Sequence, residues 1–117
     1  MSIQTEFVAL VSPIVEGRIY PGIAPATTVP PYVVYTRISV IEDLTLDING
    51  GLDNLQNTRM QCDVWGPVYA EVDATAQAIK AALKGWARQN TMQDTQDLYE
   101  FETRLHRVML DISIWHD

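Results

Sequence analysis

Residues 58–65 alternate without a break. Thr58, Met60, Cys62 and Val64 fall on one side of an extended chain, and Arg59, Gln61, Asp63 and Trp65 on the other, because successive strand side chains point to opposite faces. The pattern returns near the end of the sequence, where Val108, Leu110, Ile112 and Ile114 oppose Arg107, Met109, Asp111, Ser113 and Trp115. Two such strands ask for a sheet with one face under apolar cover and the other left to charge and indole.

Two segments can supply the cover. Ile3, Phe7, Leu10, Val11, Ile14 and Val15 recur at spacings of three and four, one face of an amphipathic helix. Ser2 or Thr5 can cap its start, Glu6 suits an early turn and Gly17 can end it, with Pro13 shortening it. Val68, Val72, Ala76, Ile79 and Leu83 mark a second helix running to Gly85, with Pro67 at its first position. Its acids Glu71 and Asp73 stand near the positive end, and Lys80, Lys84 and Arg88 near the negative end, as the helix dipole favours.

The remaining segments read as strands and connections. Arg18–Pro21 is a short strand, and the prolines from Pro21 to Pro31, Pro25 and Pro30 among them, mark a surface connection. Tyr32–Ile41 is rich in β-branched and aromatic residues and reads as a strand. Residues 42–54 carry Glu42, Asp43, Asp47 and Asp53 with no basic residue, and Asn49-Gly50-Gly51 is a hairpin-turn signal. That stretch is either a long exposed β-hairpin or a mobile loop. After a linker at 88–92, residues 93–101 and 105–115 form two strands joined at Glu102-Thr103-Arg104. The class is α+β: a mostly antiparallel sheet of four to five strands with two main helices on one face.

At 117 residues the chain is one domain, and 47% hydrophobic against 20% charged residues is a globular balance. A net charge of −7 opposes binding to nucleic acid or an anionic membrane, since the surface repels phosphates. No apolar run approaches 18 residues, and residues 1–6 lack a basic, apolar secretory head. The expectation is a soluble chain made inside the cell.

No residue pattern carries an enzymatic signature. His106 and His116 are ten residues apart on one strand, about 33 Å, too far to share a metal, and His116 falls where chain ends fray. Cys62 lies on the apolar face, where cysteine acts as a small hydrophobe. Asp63 and Asp111 are a carboxylate pair capable of acid–base work across neighbouring strands if their pKa values are split, or they are solvated or paired with Arg59 and Arg107 on the same faces. Phosphate-loop and zinc spacings are missing, and no cofactor is expected. The basic stripe Lys80, Lys84, Arg88 is too small for a nucleic-acid footprint, and the dipole accounts for it. Trp65 and Trp115 stand opposite the apolar face, so they are either interface anchors exposed in the monomer or covered by Pro67, the 21–31 segment or a helix end.

Longer stretches carry more. Gly17-Arg18-Ile19-Tyr20-Pro21 leading to Pro31-Tyr32-Val33-Val34-Tyr35 resembles the opening half of the tail-completion family of tailed phages and prophages. Arg59-Met60-Gln61-Cys62-Asp63-Val64-Trp65, then Tyr69-Ala70-Glu71 and an alanine-rich helix closing on Leu83-Lys84-Gly85-Trp86, resembles its centre. Asp97–Thr103 and Arg107–Trp115 resemble its terminal hairpin, although the family often has proline where Phe101 stands and glycine where Arg104 stands. The resemblance implies a tail-terminator-like fold and a structural role at the head-proximal end of the tail. It also implies a self-assembled ring, a hexamer being the size it suggests, that caps the tail tube protein and meets the head connector. Neither cofactor nor catalytic residue comes with it. On that reading Arg59, Asp63, Trp65, Arg107, Asp111 and Trp115 form a subunit-interface or lumen face. Pro25, Pro30, Glu42, Asp43, Asp47, Asn49 and Asp53 form docking loops. A connector on the portal side, or a small ligand-binding or enzymatic domain, are the alternatives.

Overall fold

A computed structural model describes residues 2–46 and 52–116. Helix α1 (Ile3–Val11) runs into a 3-10 turn (Ser12–Ile14), followed by strands β1 (Ile19–Pro21), β2 (Tyr32–Leu46) and β3 (Leu52–Gly66). Helix α2 (Tyr69–Lys84) then leads to strands β4 (Asn90–Glu100) and β5 (Leu105–His116). One five-stranded sheet has the order β1-β2-β3-β5-β4, antiparallel except for β1 against β2. The class is α+β, and the order of elements matches that read from the sequence.

The alternation sets the core. Met60, Cys62 and Val64 of β3 and Val108, Leu110, Ile112 and Ile114 of β5 are all buried. They join Ile3, Phe7 and Val11 of α1 and Val72, Ala76, Ile79 and Leu83 of α2 in one cluster. Each large apolar side chain so placed contributes about 1.5–3 kcal/mol. Phe7 is the hub, with ring centroids 6.2 Å from Tyr35 and 6.4 Å from Trp86. Desolvation raises the pKa of the Cys62 thiol and the charge of Asp63 adds to the rise, so the sulfur stays protonated.

The helices differ from expectation at their ends. Ser2, not Thr5, caps α1, its hydroxyl accepting from the Thr5 N–H at 3.2 Å. The α-helix stops at Val11 because Pro13 has no N–H to continue it, and the chain closes through 3-10 geometry. Gly17 takes the left-handed conformation, φ +81°, and its N–H donates to the Ser12 carbonyl at 2.9 Å. Pro67 lies outside α2: Val68 is the cap, and its carbonyl accepts from Glu71 and Val72. Arg88 lies beyond the helix and holds Glu6 of α1 through two hydrogen bonds of 3.1 Å.

Strands β2 and β3 are longer than the sequence pattern suggested. Glu42 pairs with Gln56, Asp43 with Leu55 and Thr45 with Asp53, so the 42–54 region is a hairpin ladder where it is described. Asp47, Asn49 and the Asn-Gly turn lie outside the described residues. The neighbouring ladder of β3 with β5 ends at Gln56 and His116. Beyond that point the hairpin is a two-stranded arm of four further residue pairs, about 14 Å. His116 is not frayed: it belongs to β5 and is buried, with its Nε2 2.6 Å from the Thr58 hydroxyl.

Gly66 closes β3 where the strand meets α2. A Cβ there would stand 2.8 Å from Cγ2 of Val72, a fully buried, β-branched side chain with little room to turn. Gly66→Ala is therefore expected to lower unfolding stability by about 1–3 kcal/mol. Urea denaturation checks this; an unchanged midpoint would mean the β3–α2 junction is looser than described.

Candidate assembly face

Strand register decides which charges meet on the face opposite the core. Gln61 pairs with Asp111, and Trp65 with Arg107. Each arginine therefore lies diagonally, two residues along, from a carboxylate on the neighbouring strand, within reach of a long side chain. Arg59 grips Asp111 with both arms of its guanidinium, Nε to Oδ1 at 2.9 Å and Nη2 to Oδ2 at 2.6 Å. Such bidentate contacts are the strong form of the pair.

The second diagonal is looser. Arg107 Nε stands 3.7 Å from Asp63 Oδ1, and both atoms are buried without a hydrogen-bond partner. The Gln61 amide donates to Asp63 Oδ2 at 2.9 Å, and the Arg107 guanidinium also lies 3.8 Å from Glu100 and 5.2 Å from the centre of the Trp65 ring. Burial raises the Asp63 pKa above the usual carboxylate value, and the Gln61 hydrogen bond and Arg107 charge only partly oppose it. With two arginines set against two aspartates, the centre of this face is locally neutral. Asp63 and Asp111 are thus not free negative charges.

The two tryptophans do not form one patch. Trp65 faces Arg107 across the ladder and Trp115 faces Asn57, eight residues further along β5, about 27 Å away. Both are half-buried, so neither is the fully exposed anchor that the one-sided sheet suggested. Trp65 borders a cleft of about 300 Å³ that is also lined by Asp63, Arg107, Tyr32 and residues 22–24. Among the described residues no cluster of His, Cys, Asp or Glu could hold a metal ion, and no helix is long and apolar enough to cross a membrane.

The expected docking segments are placed as follows. Pro25 and Pro30 are exposed in the connection between β1 and β2, where a turn is closed by the Thr28 hydroxyl and N–H donating to the Pro25 carbonyl. Asp43 and Asp53 fall in the arm, with Glu42 at its base opposite Gln56.

The profile of the family described as Tail completion protein gp17 matches residues 8–117. The chain belongs to the tail completion protein gp17 family. It is therefore a structural phage tail protein, not a member of an enzyme class. No curated protein matches the chain. Among solved structures, it is similar to a chain of the virion of a native gene transfer agent particle, at 15% identity and TM-score 0.56, covering 92% of this chain and 84% of that one. That likeness is one of fold.

This tail completion chain also exposes residues that the sequence pattern did not single out. Phe101 is 84% exposed at the β4–β5 turn, Ile23 82% and Val29 64% in the proline-rich connection. Phe101 stacks edge-on with Tyr99 at 5.1 Å, Tyr99 lies 4.8 Å from His106, and His106 lies 5.5 Å from Tyr69. Tyr69 in turn donates to Asp97 at 2.6 Å. An apolar side chain in a turn flanked by Glu100 and Glu102 was the available signal. Arg104, in the same turn, sits at φ +56°, the conformation glycine holds without strain.

Asp63 yields a pH test. Its pKa is higher folded than unfolded, so its contribution to stability is greatest below the usual value of 3.8 and is lost as pH rises through the raised value. The stability of the unmodified chain relative to Asp63→Asn should fall over that window in thermal melts taken across acidic pH. A difference that rises with pH would show that Arg107 outweighs burial.

Proposed function

We propose that copies of this chain close into a ring at the head-proximal end of a phage tail, completing the tail tube and joining it to the head connector. The observation that carries this reading is the chemical difference between the two ends of one sheet. At one end the β2–β3 arm runs past the last strand pair, Gln56 with His116. At the other, Tyr69, Tyr99, Phe101 and His106 form a partly exposed aromatic cluster beside the β4–β5 turn. A joint must bind two unlike structures, and tyrosine and phenylalanine are favoured interface anchors.

Family membership supports the tail setting, and the likeness to a chain of a gene transfer agent virion agrees with a particle component. Ring closure suits the two unlike edges of the sheet, three-residue β1 and eleven-residue β4, because contacts between different surfaces generate rings when the rotation closes. In such a ring the face bearing Arg59, Asp63, Trp65, Arg107, Asp111 and Trp115 turns to a neighbour or to the lumen. With its charges paired, it offers passing DNA little to hold. The exposed β1–β2 connection with Pro25 and Pro30 reaches the tube protein and the connector, while the acidic arm, with Glu42 at its base and Asp43 and Asp53 along it, extends towards its partners in the assembly, neighbouring copies among them. A hexamer matches the ring implied by the family resemblance.

Deleting the gene from its phage or prophage tests this. Electron micrographs should show heads without tails, or tails of abnormal length. Purified protein should restore joining when incubated first with the tails. Normal particles would overturn the reading, and rescue only through the heads would move the chain to the portal side.

A further inference from the structure

The α2 C-terminus and the start of β4 enclose a groove of about 690 Å³ that the charged face does not touch. Leu83, Trp86 and Met92 give it an apolar floor, and Lys80, Lys84 and Arg88 line it with cations. Arg88 is held by Glu6. Lys80 and Lys84 make no ion pair or hydrogen bond among the described residues. On a chain of net charge −7, a basic apolar groove stands apart from its surroundings.

The same chain carries a segment of the opposite character. Residues 42–54 hold Glu42, Asp43, Asp47 and Asp53, leucines at 44, 46 and 52, and no basic residue. Among the described residues, 43–46 and 52–55 extend past the five-stranded body as two paired strands. A two-stranded hairpin is marginal in water by itself, so the arm gains from a surface that covers it.

Position excludes the arm's own groove and favours a neighbour's. The groove borders β4, one edge of the sheet, whereas the arm grows from β2 and β3 on the other side of β5. Both lie at the same end: Asn90 pairs with Ile114, close to the Gln56–His116 pair from which the arm departs. A rotation about a ring axis preserves that level and carries one copy's arm side towards the next copy's β4 side. We infer that the acidic β2–β3 arm of each copy docks in the Lys80–Lys84 groove of a second copy. The contact is heterologous, as ring closure requires. This inference rests on the ring reading and names the contact that closes it.

A charge swap tests it by sedimentation velocity at low and high salt. Lys80→Glu/Lys84→Glu should weaken self-association about tenfold, as should Glu42→Lys/Asp43→Lys/Asp53→Lys, given the worth of a few exposed pairs reversed in sign. Mixing the two variants should restore assembly, because every junction then joins opposite charges. High salt should narrow all these differences. The arm variant brings the net charge closer to zero, so a bulk charge effect would strengthen its association instead of weakening it. Association of both variants like the unmodified chain would overturn the docking while leaving the ring intact. An unmodified chain that stays monomeric at all accessible concentrations would overturn the ring reading and this contact together.

Discussion

Burial of one face of the β3–β5 ladder is the constraint on which the rest depends. Met60, Cys62, Val64, Val108, Leu110, Ile112 and Ile114 are dry together in the observed register, and a slip of one residue would turn a strand's whole apolar set outward. That register then dictates the other face. It sets Arg59 diagonal to Asp111 and Arg107 diagonal to Asp63, and it places Trp65 and Trp115 at opposite ends. The charged face is thus a consequence of the core.

The same ladder explains the long shape of the molecule, 55 by 24 by 23 Å. β5 ends level with Gln56, yet β2 and β3 continue to pair as far as Leu46 and Leu52. Past the Gln56–His116 pair, the described part of the arm has only its own two strands in the ladder. A two-stranded ladder is marginal in water by itself and gains from a surface that covers it. On the proposed ring reading, that surface belongs to a neighbouring copy.

Much of this was legible in the residues. Alternation at 58–65 and 107–115 identified the buried face residue by residue, and three- and four-residue spacing identified both helices, because burial at fixed period leaves a direct mark on sequence. The helix ends were less legible: Pro13 and Pro67 act through one missing N–H each, and where the chain turns depends on the packing around them. The length of β2 and β3 was hidden because residues 42–46 pair across the hairpin and carry mixed polar and apolar side chains. The cleft beside Trp65 brings together residues 22–24, Tyr32 and Arg107 from distant parts of the sequence, a grouping that no local pattern encodes. Register makes the tight Arg59–Asp111 and looser Arg107–Asp63 pairs possible. Which pair closes to 2.9 Å and which stays at 3.7 Å between Nε and carboxylate is decided by the packing around each.

The direct test of the account is electron cryomicroscopy of the intact particle at a resolution that traces strands. The account predicts a closed ring of this chain between tail tube and head, with the arm of each copy crossing to the next. Density for the chain elsewhere in the particle, or as a single unassociated copy, would contradict it.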